Sequence, residues 1–225
     1  MLHLYNTLLS LPLFQGLSKQ DLEIVVESTK FGFDKRPAGV AVIKSGSPCT
    51  SLNFLLSGEL EATWRSADGG YSVTEMIHAP ALIEPERLFG LTQRYEGNYT
   101  AKTPCHFITI DKAETVVLTE NYMIFRFNLL NLLSTQAQKM RRYFWQQPPS
   151  DLSHRIVRFF QSHCQHPAGE KHFHILMNRL AEEVGCSRLD VSHSLHSMQA
   201  AGLLQVHRGK VVIPALERLL NGQNF

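Results

Sequence analysis

The sequence predicts an α+β chain with an N-terminal antiparallel β-roll, a long helix and a C-terminal winged helix-turn-helix. Three observations predict it. From Lys30 to Ile110, short β-prone runs alternate with glycine turn signals. From Glu120 to Trp145 there is no Gly or Pro, and apolar residues recur at three- and four-residue steps. From Met177 to Leu204 the chain reads MNRLAEEVGCSRLDVSHSLHSMQAAGLL, two short amphipathic helices about a glycine, and a small strand–turn–strand follows.

Composition bounds the reading. A length of 225 residues suits two domains rather than one. The hydrophobic fraction of 44% is enough for ordinary cores. No apolar run approaches the ~20 residues that cross a bilayer, so no membrane partner is expected. The first residues lack the charged-then-apolar pattern of a secretory leader. Cys49, Cys105, Cys164 and Cys186 are scattered without a CxxC pair, which predicts reduced thiols and a cytoplasmic location. The net charge is only +2 and does not by itself mark a nucleic-acid binder. Residues 150–225 hold eight Lys and Arg against six Asp and Glu, and eight of the eleven histidines, so mild acidification makes that part more basic.

Taken in order, residues 2–11 and 18–28 read as short helices. Ser18 caps the second, with Asp21 at the capping-box position. The expected strands are Lys30–Lys35, Val40–Ile43, Leu52–Leu56, Glu59–Arg65, Ser72–His78, Tyr99–Lys102 and His106–Ile110, with Asp68-Gly69-Gly70 as a hairpin turn. Many short strands at this spacing indicate an antiparallel roll rather than a parallel sheet. In the long helical stretch, Phe125, Leu129, Leu132, Gln136, Met140 and Tyr143 fall at coiled-coil spacing. They predict a homodimer helix; a helix buried only against its own domain is the competing reading. Pro148 and Pro149 end that helix, and Ser150 is placed to cap the next, which carries Ile156, Val157, Phe159 and Phe160. The expected division is therefore 1–118 roll, 119–147 dimerisation helix and 148–225 winged helix-turn-helix.

Within the last segment, Leu180, Ala181 and Val184 give the first helix one apolar face. Gly185 breaks it where a turn with φ > 0 is needed. Ser187 and Asp190 form a capping box that starts a second helix. Val191, Leu195 and Met198 are expected to point inward, leaving Arg188, Leu189, Ser192, His193 and His196 outward. Gly202 ends the helix, and His207-Arg208-Gly209-Lys210 forms a basic turn between two strands. The pattern predicts a partner in double-stranded DNA: the Ser187–Ala200 helices of two protomers enter successive major grooves ~34 Å apart. Arg188 is the expected guanine reader through O6 and N7. Ser192, His193 and His196 are expected at a base or phosphate, and Leu189 at a thymine methyl. Arg179, Ser187, Arg208 and Lys210 are candidate phosphate contacts, which position rather than specify. A ligand-binding signalling module whose C-terminal domain recruits protein rather than DNA is the alternative.

Other chemistries find no motif. There is no nucleophile elbow, HExxH or Walker loop, so no enzyme is predicted. His163, Cys164, His166, His172 and His174 are zinc-ligand types around Pro167-Ala168-Gly169. They lack a two-plus-two spacing, and no metal is predicted.

The order of parts resembles the cyclic-AMP receptor / fumarate-nitrate regulator (CRP/FNR) family. The residues that carry it are Gly185–Leu204, GCSRLDVSHSLHSMQAAGLL, with softer matches at Leu13-Phe14-x-Gly16-Leu17-Ser18 and Leu56-Ser57-Gly58-Glu59. The resemblance implies a cyclic-nucleotide-binding-like jelly roll and a dimeric transcription regulator that binds near-palindromic promoter sites and contacts RNA polymerase. It also implies where the effector would sit, and there the sequence departs. Family members that bind cyclic nucleotides carry a Gly-Glu-Leu turn and, about ten residues on, Arg-Ser/Thr-Ala. Counting back from Ala101-Lys102-Thr103 places Tyr95-Glu96 at the Arg-Ser pair, and Ala81–Gly90 is the earlier turn. Glu96 would repel a phosphate, and Pro85 removes a backbone donor. Glu84, Arg87, Arg94, Tyr95 and Glu96 are the candidate pocket residues, with Arg87 or Arg94 able to replace the missing cation only after a register shift. Cyclic AMP is not the expected effector; a different small molecule, or none, is. No cysteine precedes Cys49 to hold an iron–sulfur cluster, and His78 alone does not make a haem site, so no cofactor is predicted. Leu189 and His193 replace the family's usual acidic and basic readers, which predicts a different target site.

Overall fold

Alternation of apolar and polar residues builds the roll. The computed structural model describes residues 2–145, 147 and 149–221, with the side chains of Leu2–Leu4, Met140 and 142–145 left out. Two compact units emerge: one takes the residues up to Leu60 together with Ile77–Arg141, the other Glu61–Met76 together with the residues from Arg142 on.

In the first unit, α1 (Leu2–Leu9) and α2 (Lys19–Ser28) precede the strands. The Ser18 hydroxyl accepts the Asp21 N–H at 3.0 Å, as the capping box predicts. The strands up to Asp111 are β1 (Phe31–Arg36), β2 (Ala41–Ile43), β3 (Ser51–Ser57), β4 (Glu59–Arg65), β5 (Tyr71–His78), β6 (Ala81–Ile83), β7 (Asn98–Ala101) and β8 (Cys105–Asp111), of which β4 and β5 fall mostly in the second unit. One antiparallel sheet runs β1-β8-β3-β6, and β2 pairs with β7. The seven expected strands all form, within a residue or so of their predicted ends. Strand β6, only three residues long, escaped the pattern.

The long helical stretch is broken at Tyr122 into α3 (Lys112–Asn121) and α4 (Met123–Trp145). Phe125 and Leu129 do not lie on a free seam. Phe125 is wholly buried, its ring 5.2 Å from that of Phe14, which in turn sits 6.1 Å from Phe54. Asn128 Nδ2 donates to the carbonyls of Leu13 and Gln15 at 3.1 and 2.8 Å, fixing this face of α4 on its own unit. Leu132 and Gln136 are half-buried. Met140 and Tyr143 lie outside the residues whose side chains are described. The exposed large apolar side chains among the described residues of α4 are instead Met123, Ile124, Phe127 and Leu130.

The second unit joins the β4–β5 hairpin to the C-terminal helices. Its turn is the expected one: Gly69 has φ 72° and the Ser66 N–H donates to the Tyr71 carbonyl at 3.0 Å. Helix α5 (Leu152–Ser162) is capped by Asp151, not by Ser150; the Asp151 carboxylate takes the His154 N–H at 3.0 Å. Then come β9 (Lys171–Ile175), α6 (Met177–Val184), α7 (Arg188–Ala200), β10 (Gln205–His207), β11 (Lys210–Ile213) and α8 (Leu216–Asn221). The sheet runs β10-β11-β9-β5-β4, with β9 and β5 antiparallel from Tyr71↔Ile175 to Glu75↔Lys171. Strand β9 was missing from the sequence expectation. The core gathers Phe159, Phe160, Phe173, Leu180, Val191 and Leu195 from the helices and sheet.

Candidate nucleic-acid interface

Local chemistry sets the angle between α6 and α7. Gly185 adopts φ 65°, ψ 46°, its N–H donating to the Glu182 carbonyl at 3.2 Å, while the Cys186 N–H reaches back to Ala181 at 3.0 Å. This pair of bonds ends a helix with a left-handed residue, which only glycine adopts cheaply. Two residues on, the Ser187 hydroxyl accepts the Asp190 N–H at 3.2 Å and donates to the Asp190 carboxylate at 2.7 Å, starting α7. Leu180, Ala181, Val184, Val191, Leu195 and Met198 are all buried, as the spacing predicts.

The outward side of α7 includes the predicted residues, together with Asp190, Ser197, Gln199 and Ala200. Arg188, Leu189, His193 and His196 are exposed, Ser192 is half-buried, and Leu189 shows 64% of its surface. Beside it, β10 and β11 form a hairpin paired His207↔Lys210, with Gly209 at φ 71° in the two-residue turn. A groove of ≈ 340 Å³ lies between helix and hairpin, with Arg188, Asn178, His207 and Arg208 among its lining and Leu176 exposed at its edge. Neither Arg188 nor Arg208 forms an ion pair with a described residue. The arrangement suits a polyanion passing over two cations while a helix edge meets a groove.

Two of the predicted phosphate contacts have partners within the chain. Arg179 is ringed by carboxylates, with Asp68 at 2.8 Å, Glu183 at 2.7 Å and Glu182 at 3.5 Å, and its guanidinium lies 6.0 Å from the Tyr71 ring. That charge is neutralised within the chain. The Ser187 hydroxyl donates to the Asp190 carboxylate. Lys210 is half-buried on the hairpin beside His174, whose imidazole is kept below its ordinary range by burial and by the Lys210 charge.

Three of the four histidines within residues 163–174 have a side-chain partner of their own. His163 meets the Tyr71 hydroxyl at 2.8 Å, His166 the Glu75 carboxylate at 3.1 Å, and His172 the Glu170 carboxylate at 2.8 Å. Burial pushes the Cys164 thiol well up, away from thiolate chemistry.

In the roll, each candidate effector residue has a bonding partner. Arg87 pairs with Glu96 and lies 3.9 Å from Glu86. Arg94 donates to the Gly46 carbonyl at 2.7 Å from an exposed position. Tyr95 is buried, and its hydroxyl accepts from Asn53 at 2.6 Å. Glu84 stands at φ 37° and turns its carboxylate inward to accept the Glu96 and Gly97 N–H groups, both at 2.8 Å, and the Tyr99 hydroxyl at 2.7 Å. The parts played by Gly97 and Tyr99 are invisible in composition.

Residues 154–221 match the family described as the Crp-like helix-turn-helix domain. The chain is 23% identical over 180 residues to the cAMP-activated global transcriptional regulator Vfr of Pseudomonas aeruginosa, covering 76% of this chain and 84% of that one. Among solved structures, the catabolite activator protein of Thermus thermophilus matches 94% of this chain and 99% of its own, at 18% identity and a TM-score of 0.50. The sensor domain of the transcriptional regulator DNR from P. aeruginosa matches 66% of this chain and 97% of its own, at 19% identity and a TM-score of 0.53.

Proposed function

We propose that this chain, which belongs to the CRP/FNR family of DNA-binding transcription regulators, acts as a homodimer on near-palindromic promoter sites. One observation carries the reading: the outer side of α7 presents Arg188, Leu189, His193 and His196 to solvent beside a hairpin tipped by Arg208. In this reading Arg188 reads a guanine edge, and Ser192, His193 and His196 contact neighbouring bases or phosphates. Leu189 meets a thymine methyl, and Arg208 and Lys210 hold the backbone.

One recognition helix covers half a site, so a two-fold partner doubles the contact. Met123, Phe127, Leu130, Ser134 and Ala137 support such a partner: they are exposed and follow steps of four and three along α4. The small side chains at Ser134 and Ala137 let two helices approach closely, and a second copy of the chain is the proposed occupant of this face. Contact with RNA polymerase is proposed as well, on the family resemblance.

The roll is proposed not to answer to cyclic AMP, although the Vfr relative is described as cAMP-activated. Support comes from the two arginines. Arg87 is paired with Glu96, which offsets its charge, and Arg94 gives one N–H to the Gly46 carbonyl from an exposed position.

Gel shifts with genomic fragments across a salt series, with and without cyclic AMP, test this. A sequence-dependent shift unaffected by the nucleotide is expected. No shift at low salt would favour the protein-recruiting alternative, and a shift that needs the nucleotide would overturn the effector reading.

A further inference from the structure

Two successive backbone N–H groups, of Glu96 and Gly97, and the phenol of Tyr99 converge on a single carboxylate. Neighbouring amides aimed into one concavity, with a hydroxyl donor beside them, make a site for an oxyanion. The anion here belongs to the chain. Glu84 is 91% buried by exposed surface lost, Tyr99 is 2% exposed, and Gly97 is buried as well.

The backbone at Glu84 argues that the side chain is there for its carboxylate. Among the described residues it is the one non-glycine residue with positive φ, a conformation that crowds any Cβ. Glycine would make the same turn without strain. The turn therefore tolerates a side chain it does not need, and that side chain fills the donor cluster. A second bond runs the other way, from the Arg87 guanidinium to the Glu96 carboxylate, so residues 84–87 and 96–97 hold each other from both sides.

We propose that the roll contains a small-oxyanion site whose resident ligand is Glu84 itself. The site takes the carboxylate or phosphate class, and no diffusible anion enters it in the intact protein. This goes beyond the DNA-binding reading and does not depend on α7.

The test uses the full chain with Glu84→Gly, which keeps the turn and removes the anion. Thermal unfolding is followed in formate, acetate and phosphate titrations against chloride at matched ionic strength. The expected result is a lowered Tm in chloride that recovers saturably with one anion class, formate or acetate for a carboxylate site and phosphate for a phosphate site. Wild type should show no saturable response, and adding Tyr99→Phe to Glu84→Gly should weaken the apparent affinity several-fold. A variant unfolded in chloride but folded in formate or phosphate supports the proposal equally. A variant that no anion rescues overturns it. So does a wild-type protein whose Glu96 and Gly97 amide NMR signals move saturably with added formate, phosphate or cyclic AMP, because the site would then be open.

Discussion

Lys171 Nζ stands 2.9 Å from Glu75 Oε2, and the two side chains are 1% and 0% exposed. They face each other across the β9–β5 pairing. The same carboxylate takes the N–H groups of Gln165 and His166 at 2.7 and 3.1 Å. Removing one partner leaves the other charge buried without compensation. Lys171→Met should therefore cost about 3–5 kcal/mol in denaturant unfolding, and Glu75→Leu/Lys171→Met should recover much of that loss.

Acid should weaken the same contact. Burial pushes the Glu75 carboxyl up, but the hydrogen bonds from His166, Lys171 and the Gln165 amide and the Lys171 charge outweigh it, and the group lies below the usual carboxylate range. Its folded pKa is thus lower than its unfolded one, ordinarily about 4.3. The stabilisation is complete above that value and disappears as pH falls through the folded pKa. Tm measured from pH 6 downward should drop less steeply in Glu75→Gln than in wild type.

The helix-turn-helix was legible because its signals are local. Gly185, the Ser187–Asp190 pair and the Arg208-Gly209 turn each act within a few residues, and the inward set from Leu180 to Met198 follows from helical spacing alone. Strand β9 was not legible. Lys171, His172 and His174 mask Phe173 and Ile175, and a lysine becomes a core residue only because Glu75, far away in sequence, meets it there. Arg179 looked like a free cation for the same reason: Asp68 comes from the β4–β5 hairpin. In α4 the apolar steps were visible, but not which of two neighbouring stripes Phe14 would claim. The Glu84 site needs two donors from another loop and one from β7, and no spacing rule joins them.

The two stripes of α4 predict opposite phenotypes. Leu130→Glu should shift the protein from dimer to monomer in sedimentation equilibrium while leaving unfolding nearly unchanged per protomer. Phe125→Ala should instead cost about 3–5 kcal/mol of stability through the cavity it leaves against Phe14. If Leu130→Glu remains dimeric, the proposed seam is wrong.

On the hairpin, Arg208→Ala and Lys210→Ala should each weaken binding to all DNA sequences alike. Each should reduce the slope of log affinity against log salt by about 1. Arg179→Ala, already neutralised by three carboxylates, should leave that slope unchanged. Fluorescence anisotropy between low and moderate salt reads both.

The most direct test of the account is the affinity of Arg188→Ala, beside wild type, for a selected site and its full set of single base-pair variants. The expected loss is about 1–3 kcal/mol, confined to one base pair per half-site where preference disappears. An equal loss at every position, or none, would contradict the assignment of α7 as the element that reads sequence.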